Sequence, residues 1–474
     1  MITVILSFVI GSFLTMLPIP AASSAGDSPQ PADSLDPARL LSSYVQIPSV
    51  SGEEKEAGEF LADFCQDQGL HVHVFTDEPD SYNFAASLYP LEESKPNIVL
   101  LSHIDVVPPG NPEGWTYPPF SGTIADGKVW GRGAIDNKAM GVMHVLAVIQ
   151  FVERAQEEDL PYNVSVLAVS GEETGGDKGA RIIASEYLDE LNPAVVYAEG
   201  GAGVTGIITA EPDMPVFGIG VAQKRRMFMA IESSVQSSGH GSVPRDSYST
   251  KEVVGATKAL LDAKPRIVVS PVVKEALNGV ALYESSIRSR VLENVDFFAP
   301  LFGRFLRTDP LIISMLTNTT ALTRITSADG AYNQIPTDAR AVFDCRLLPE
   351  TDEETFIARV EDIVEDYDVT IDVIRSSPTT PTSERGLFYD VLDQAVVETF
   401  EQDVVAVPFM FMAINDNRFF RREGIPAYGL LPAIMPEELM ESIHYFDERM
   451  PVEGLEKGIQ VYVNLINRLI SDQL

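Results

Sequence analysis

Between residues 103 and 199 the chain sets one histidine and five carboxylates beside apolar runs. His103 and Asp105 follow "NIVLL", Glu172 and Glu173 follow "NVSVLAV", Glu199 follows "AVVY", and Asp136 opens a helical stretch in "WGRGAIDNK". Each has an ordinary explanation when taken alone: a histidine after a strand is commonly a hydrogen-bonded structural residue, paired glutamates before "TGG" a solvated turn, and an aspartate before a helix an N-cap. Their joint occurrence is different. Carboxylates gathered in one crevice repel strongly unless cations neutralise them, and two divalent metals are the economical answer. Histidine with carboxylate ligation suits zinc. A two-metal site needs a bridging carboxylate, terminal ligands for each ion, and an unbound carboxylate to act as general base on a shared water. Adjacent residues at a strand end point in different directions, so of Glu172 and Glu173 one can ligate while the other takes a proton.

Such a site needs strands that end side by side. From 97 to 199 short runs rich in Val, Ile and Leu alternate with helical segments ("NKAMGVMHVLAVIQFVERAQ", "DKGARIIASEYLDEL"), which implies crossover connections and a largely parallel sheet. Ligands of an open α/β sheet bind at the carboxyl ends of its strands. Near Val216 the texture changes to alternating strands, a helix at 249–263, a long irregular insertion at about 265–325 and further strand text in "ARAVFDCRLLP". After "VTIDVIRSSPTTPTS" the α/β texture returns. The expected architecture is an α/β catalytic domain with a mostly parallel sheet, at 37–216 and 377–474, interrupted by an inserted α+β domain at 217–376.

The segments "SHIDVVPPG", "WGRGAIDNK", "SGEETGG", "AEGG", "SGHGSVP", "NQIPTDARAVFDCRLLP" and "ESIHYFDERMPVEG" resemble, in order and spacing, the dinuclear zinc metallopeptidase family of aminoacylase, glutamate carboxypeptidase and acetylornithine deacetylase. Within it the chain is most similar to the carboxypeptidase S and Gly-Xaa carboxypeptidase group, over roughly residues 38–470. The resemblance implies two zinc ions per chain, one held by His103 and Glu199, the other by Glu173 and His444, with Asp136 bridging and a cis peptide at Asp136–Asn137. It implies that Glu172 is the general base and acid, and that Asp105 orients the His103 ring. The inserted domain resembles the family's lid and dimerisation domain, from which His240 reaches an active site, usually the partner subunit's, to stabilise the oxyanion. Asn333 and Arg346 are implied to hold a substrate carboxylate, Arg346 being suited to bidentate binding. Arg418 is a further substrate-binding candidate. There the family's Gly-Gly-Thr-Asp-Ser/Ala-Arg is replaced by Ala413-Ile414-Asn415-Asp416-Asn417-Arg418, a departure that bears on substrate preference more than on chemistry.

The implied reaction is hydrolysis of an amide next to a free carboxylate, in an exported carboxypeptidase or dipeptidase or in an N-acyl amino acid hydrolase that can also run as a synthase. Both share one metal centre, so the motifs do not separate them. Apolar text in the insertion, "FFAPLFGRFL" and "LIISMLT", could line an acyl pocket or simply pack. A catalytically silent carboxylate-binding protein of the same fold is the minor alternative, and the full metal and base set argues against it.

An excess of 69 acidic over 34 basic residues, for a net charge of -35, argues against nucleic acid or an anionic membrane surface as a partner. Residues 1–25, "MITVILSFVIGSFLTMLPIPAASSA", outline an export signal followed by a polar linker at 26–36, which implies a periplasmic or extracellular protein; an N-terminal membrane anchor is the alternative reading. No other stretch approaches the roughly 20 apolar residues that span a bilayer. Cys65 and Cys345, in an expected helix and an expected strand, spell out no disulfide framework and are expected to be buried thiols, although an exported protein could pair them. His71 and His73 share one face of a strand and are expected at the surface, and His144 is expected to pack inside its helix.

Overall fold

The computed structural model describes residues 35–236, 239–298, 310–400 and 403–471, so the export segment expected at 1–25 lies outside them. Fifteen strands, numbered here in chain order, form three sheets among the described residues. The largest contains β1 (His71–Glu78), β2 (Ser81–Ser87), β3 (Asn97–His103), β6 (Asn163–Val169), β7 (Pro193–Val204), β8 (Val216–Gln223), β13 (Val405–Phe411) and β14 (Ala427–Ile434). Their order is β1-β2-β6-β3-β7-β14-β8-β13. β3 is parallel to both β6 and β7, and β7 to β14. Every residue of β3 and β6 is buried, as solidly apolar strands covered on both faces must be.

This strand order positions the chemistry. β6, β3 and β7 are neighbours about 4.8 Å apart, so the residues that follow β6 and β3 and those carried by β7 meet at one edge. Helix Lys138–Val148 has no exposed residue, since it is sandwiched between the sheet and helix Val452–Ile470. The latter buries one face, from Leu455 through Ile459, Tyr462 and Ile466, and leaves the other polar. Asp36 caps the first helix by accepting from Arg39 N–H at 3.1 Å, with Pro37 in the first turn.

The second sheet is antiparallel: β9 (Arg225–Ser234), β10 (Thr319–Ser327), β11 (Asp338–Leu347) and β12 (Thr370–Ser376), in the order β10-β11-β9-β12. Burial along β11 alternates strictly, and its inward residues Ala341, Phe343 and Cys345 pack with Met227, Met229 and Ile231 of β9 against helices Ser249–Asp262 and Glu353–Val364. The opposite face carries Arg226 and Phe228 beside Arg346 and Asp344. Because Val216–Gln223 pairs within the large sheet, the chain passes between the two sheets at Lys224 rather than at 216–217, where the change of texture falls. The alternation that begins at Val216 belongs to two strands of different sheets.

The segment that follows helix Ser249–Asp262 packs on the large sheet. Helix Pro271–Ala281 packs on β13, with Val272, Val273 and Leu316 in the main core and Ala276 and Val280 against Val405 and Val407. The described apolar residues of the insertion that are buried therefore serve packing, while most of "FFAPLFGRFL" lies outside the described residues.

A third, small sheet joins β4 (Thr123–Ala125), β5 (Lys128–Trp130) and β15 (Arg449–Pro451). It fastens the segment holding His444 and Glu448 to the one that leads into Asp136. Cys65 and Cys345 are buried as free thiols, one in the apolar cluster of the large sheet and one in that of the second sheet. His144 is fully buried edge-on against Tyr462, and His73 is half-buried beside Glu190 at 3.0 Å. Among the described residues no helix is long and apolar enough to cross a membrane.

Candidate active site

His103 is the last residue of β3 and is almost completely buried. Its Nδ1 lies 2.9 Å from the Asp105 backbone carbonyl and 3.5 Å from the Asp105 carboxylate. Donation to the carbonyl fixes the ring and turns Nε2 toward Asp136 Oδ1 at 2.9 Å and Glu199 Oε2 at 3.6 Å. Asp136 presents its other oxygen to His444 Nε2 at 3.1 Å, and the same nitrogen lies 2.9 Å from Glu173 Oε1. One carboxylate thus spans two imidazoles, each of which has a second carboxylate beside it. The Asp136–Asn137 peptide is cis, and Asn137 donates its amide to Glu199 Oε2 at 2.9 Å.

Asp105 has a wider task than orienting one ring. Fully buried, its carboxylate accepts from Ser51 Oγ at 2.7 Å and from the backbone N–H groups of Glu172 and Glu173 at 3.0 and 3.1 Å. It ties the end of β3 to the turn after β6, so the spacing between His103 and both glutamates is set by one side chain. Burial opposes its charge, yet His103, Ser51 and the Glu172 N–H hold its pKa below the ordinary range.

Glu199 is not at a strand end. β7 continues to Val204, but its register against β14 skips from Ala198 to Ala202 while β14 advances only from Gly429 to Leu431. The extra residues bulge out and aim Glu199 into the cleft. The two glycines that follow permit this. Gly200 has φ 146°, and a Cβ on Gly201 would stand 1.8 Å from the Gly218 carbonyl oxygen. Asn415 and Asn417 each donate a side-chain amide to the Glu199 carbonyl, at 2.8 and 2.9 Å.

The loop that carries Asp136 is held from the far end of the chain. Glu448, fully buried, accepts from Arg132 Nη1 at 2.6 Å and Gly133 N–H at 3.1 Å on one oxygen, and from the N–H groups of Ile135 and Asp136 at 2.8 and 3.0 Å on the other. His444 stands four residues before it at φ 61°, where residues other than glycine are uncommon.

The electrostatics call for cations. Burial lowers the proton affinity of His103, but hydrogen bonds to Asp105, Asp136 and Glu199 outweigh it and hold the ring well above the usual histidine pKa. Hydrogen bonds to Asp136 and Glu173 push His444 up to about 10. A field that keeps protons on two imidazoles is also one that attracts a divalent ion in their place. Ligand atoms of His103, Asp136 and Glu173 lie within 4.8 Å of one another, as do those of His103, Glu172 and Glu199. Imidazole nitrogen and carboxylate oxygen at this density fit metal ions. Glu172 is pushed well above the ordinary carboxylate range by burial and then by the charges of Glu199 and Asp416, which suits a group that must accept and release a proton.

A model of peptidase family M20/M25/M40 matches residues 99–468. The chain belongs to this family. It is 28% identical over 409 residues to the probable carboxypeptidase S-like 2 of Dictyostelium discoideum, covering 84% of this chain and 76% of that one. It is 28% identical over 454 residues to the human N-fatty-acyl-amino acid synthase/hydrolase PM20D1, covering 91% of this chain and 88% of that one. The M20 family metallo-carboxypeptidase Sso-CP2 from Sulfolobus solfataricus shares the fold, with a TM-score of 0.66 at 16% identity over 91% of this chain and 98% of that one. The protein is therefore an M20 hydrolase, metal-dependent and carboxypeptidase-like.

In this M20 peptidase His240, Asn333 and Arg346 hydrogen-bond with residues outside the cluster. His240 is exposed, its Nδ1 2.6 Å from Ser242 Oγ and its Nε2 3.0 Å from the Asn333 amide, so Asn333 holds the histidine. Arg346 makes a two-pronged pair with Asp344 of its own strand, at 2.8 and 2.9 Å. Arg418 is buried and spends its guanidinium on the carbonyls of Asn415 and Gly175, both at 2.6 Å, against the ring of Phe419. It braces the loop that follows Glu173. Sequence reasoning passed over Glu448 and the amides of Asn415 and Asn417. The replacement of the family's Thr and Ser/Ala by two asparagines was a usable signal for the amides; no local signal distinguishes Glu448 from the other acidic residues near it.

Proposed function

We propose that this protein is an exported zinc carboxypeptidase or dipeptidase that hydrolyses an amide bond next to a free carboxylate. The observation that carries the proposal is Asp136, whose two oxygens face His103 and His444 at 2.9 and 3.1 Å, while Glu172 lies with Glu199 in a second group of ligand atoms that shares His103. His103 and Glu199 would hold one zinc, Glu173 and His444 the other, with Asp136 between them. Bound there, the ions supply Lewis acidity and make water a nucleophile near neutral pH. Glu172 takes the proton from the attacking water and returns it to the nitrogen of the leaving amine. Asp105 keeps Glu172 in place through its backbone N–H. Arg346, on the face of the second sheet turned away from its helices, would receive the substrate carboxylate. The apolar segment at 1–25 supports export to the periplasm or the extracellular space.

The likeness to human PM20D1 over 91% of this chain favours a second reading, an N-acyl amino acid hydrolase that can also run as a synthase. Metal-loaded protein incubated with a mixed panel of dipeptides and N-acyl amino acids, read by mass spectrometry, separates the two. We expect dipeptides to be consumed first; preferential loss of the long-chain acyl members would reverse the order of the readings, and turnover of neither class would refute both.

The smaller domain supports a homodimer. β10 is an edge strand exposed along most of its length, and its Ile325, like Val254 and Leu261 of helix Ser249–Asp262, is an exposed apolar residue. Pairing of two copies there would carry the partner's His240 toward the metal cluster, where its N–H stabilises the oxyanion. Chains bearing His240→Ala and chains bearing Glu172→Gln, each nearly inactive alone, should recover activity when mixed. Mixtures that stay inactive would show that each chain uses its own His240 or none.

A further inference from the structure

We propose that a chloride-sized anion binds where the chain crosses between the large sheet and the second sheet, held by Lys224, Arg418 and Arg422. The chain makes this crossing twice, at Lys224 between β8 and β9 and again at 377–380 after β12. The two crossings run side by side, since Ser377 N–H donates to the Arg226 carbonyl at 2.9 Å. Between them and helix Asn417–Arg422 lies a cavity of about 10 Å³, enough for one group near the size of a water molecule. Four cationic side chains line it, Lys224, Arg225, Arg418 and Arg422, together with the hydroxyl-bearing Ser377 and Thr379. Among the described residues no acidic side chain does. In a chain with 69 acidic and 34 basic residues, that lining reverses the overall composition.

Most of that charge is not matched by carboxylates. Arg225 pairs with Glu353 at 3.2 Å, but among the described residues Lys224, Arg418 and Arg422 make no ion pair. Their donors go to neutral carbonyls instead: Lys224 to Thr317 at 2.8 Å, Arg418 to Asn415 and Gly175, and Arg422 Nη2 to Pro378 at 2.8 Å. Arg422 Nε is buried with no hydrogen-bond partner among the described residues. A buried donor left unpaired costs free energy that an acceptor recovers. Burial and the charge of Arg418 lower the pKa of Arg422, and burial with the charge of Arg346 brings Lys224 down to about 8. A halide between them gives Nε an acceptor and offsets the repulsion among three cations. The cavity is separate from the free face of the second sheet, because Arg225 points to helix Glu353–Val364 and neither Arg226 nor Arg346 lines it. It still bears on the metal cluster. Arg418 holds the Gly175 carbonyl, so an anion that fixes Arg418 also steadies the loop after Glu173.

The test uses the full chain loaded from zinc acetate, with sodium isethionate replaced stepwise by sodium chloride at constant ionic strength. Chloride NMR line width reports binding and the thermal midpoint reports its effect. In wild type the line should broaden saturably, and the midpoint should rise by about 1–2 °C on reaching roughly ten times Kd. Arg422→Gln removes Nε and its charge while leaving the metal ligands in place. It should keep its zinc, lose the saturable rise and lose the excess line width over that of the zinc alone; Arg422→Lys should keep part of both. Bromide should substitute for chloride, and sulfate, too large for the cavity, should not. Equal line widths in wild type and Arg422→Gln, a midpoint that climbs linearly without saturating, or sulfate acting as well as chloride would each overturn the site. Neither readout needs turnover, so the site stands or falls apart from the proposed reaction. The rate on a dipeptide should follow the same chloride saturation curve in wild type and be flat in Arg422→Gln; a flat rate in wild type with binding intact would overturn the link through Arg418 to the loop.

Discussion

Glu172→Gln is expected to lower kcat by about 10²- to 10⁴-fold, the usual contribution of a general base, with metal content unchanged. Glutamine preserves the shape of the side chain and its capacity to hydrogen-bond but cannot accept a proton. The backbone at this position should stay where it is, because Asp105 holds the N–H groups of Glu172 and Glu173 and neither bond involves the altered carboxylate. Glu173→Gln provides the contrast. It removes charge from the carboxylate that faces His444 at 2.9 Å, so it should lose metal as well as activity. Steady-state rates measured together with metal analysis distinguish the two variants. Full turnover in Glu172→Gln would remove this residue from the chemistry.

The second large effect is expected at a residue that touches no substrate. Glu448→Gln should destabilise the protein by roughly 3–5 kcal/mol, because it leaves the buried Arg132 guanidinium without its anion. The geometry makes substitution by an amide costly. The carboxylate accepts four hydrogen bonds, two on each oxygen, whereas the glutamine NH₂ would face the donors of Arg132 and Gly133 or those of Ile135 and Asp136. Loss of the bond to Asp136 N–H should also weaken metal binding, by about 10- to 100-fold on the scale found for groups that orient ligands. Thermal unfolding of the stripped protein reports the first effect and metal titration the second. Unchanged values in both would mean that Glu448 is dispensable to the loop.

The contrast between these two positions marks what a sequence can disclose. Glu172 is legible because it closely follows a solidly apolar strand, and β6 and β3 place that strand's end beside His103 by the ordinary rules of parallel sheets. Glu199 was legible by type but not by place. Its strand runs five residues further, and only a bulge made possible by Gly200 and Gly201 turns it into the cleft. Glu448 was hidden because its partners lie more than three hundred positions away and nothing in "FDERMP" announces them. Asp105 reads from the sequence as the partner of one imidazole, and its carboxylate, 3.5 Å from that ring, also holds the turn after β6. The run from Val216 to Gln236 reads as one alternating texture, and no property of the residues shows that Lys224 separates strands of two different sheets.

The most direct test of the account is the substrate panel run on chelator-stripped protein as zinc is returned in steps. The account predicts no hydrolysis without metal, activity that rises to a plateau near two ions per chain, and products released from substrates bearing a free carboxylate. Full turnover in the stripped protein, or a reconstituted protein that hydrolyses no member of the panel, would contradict it.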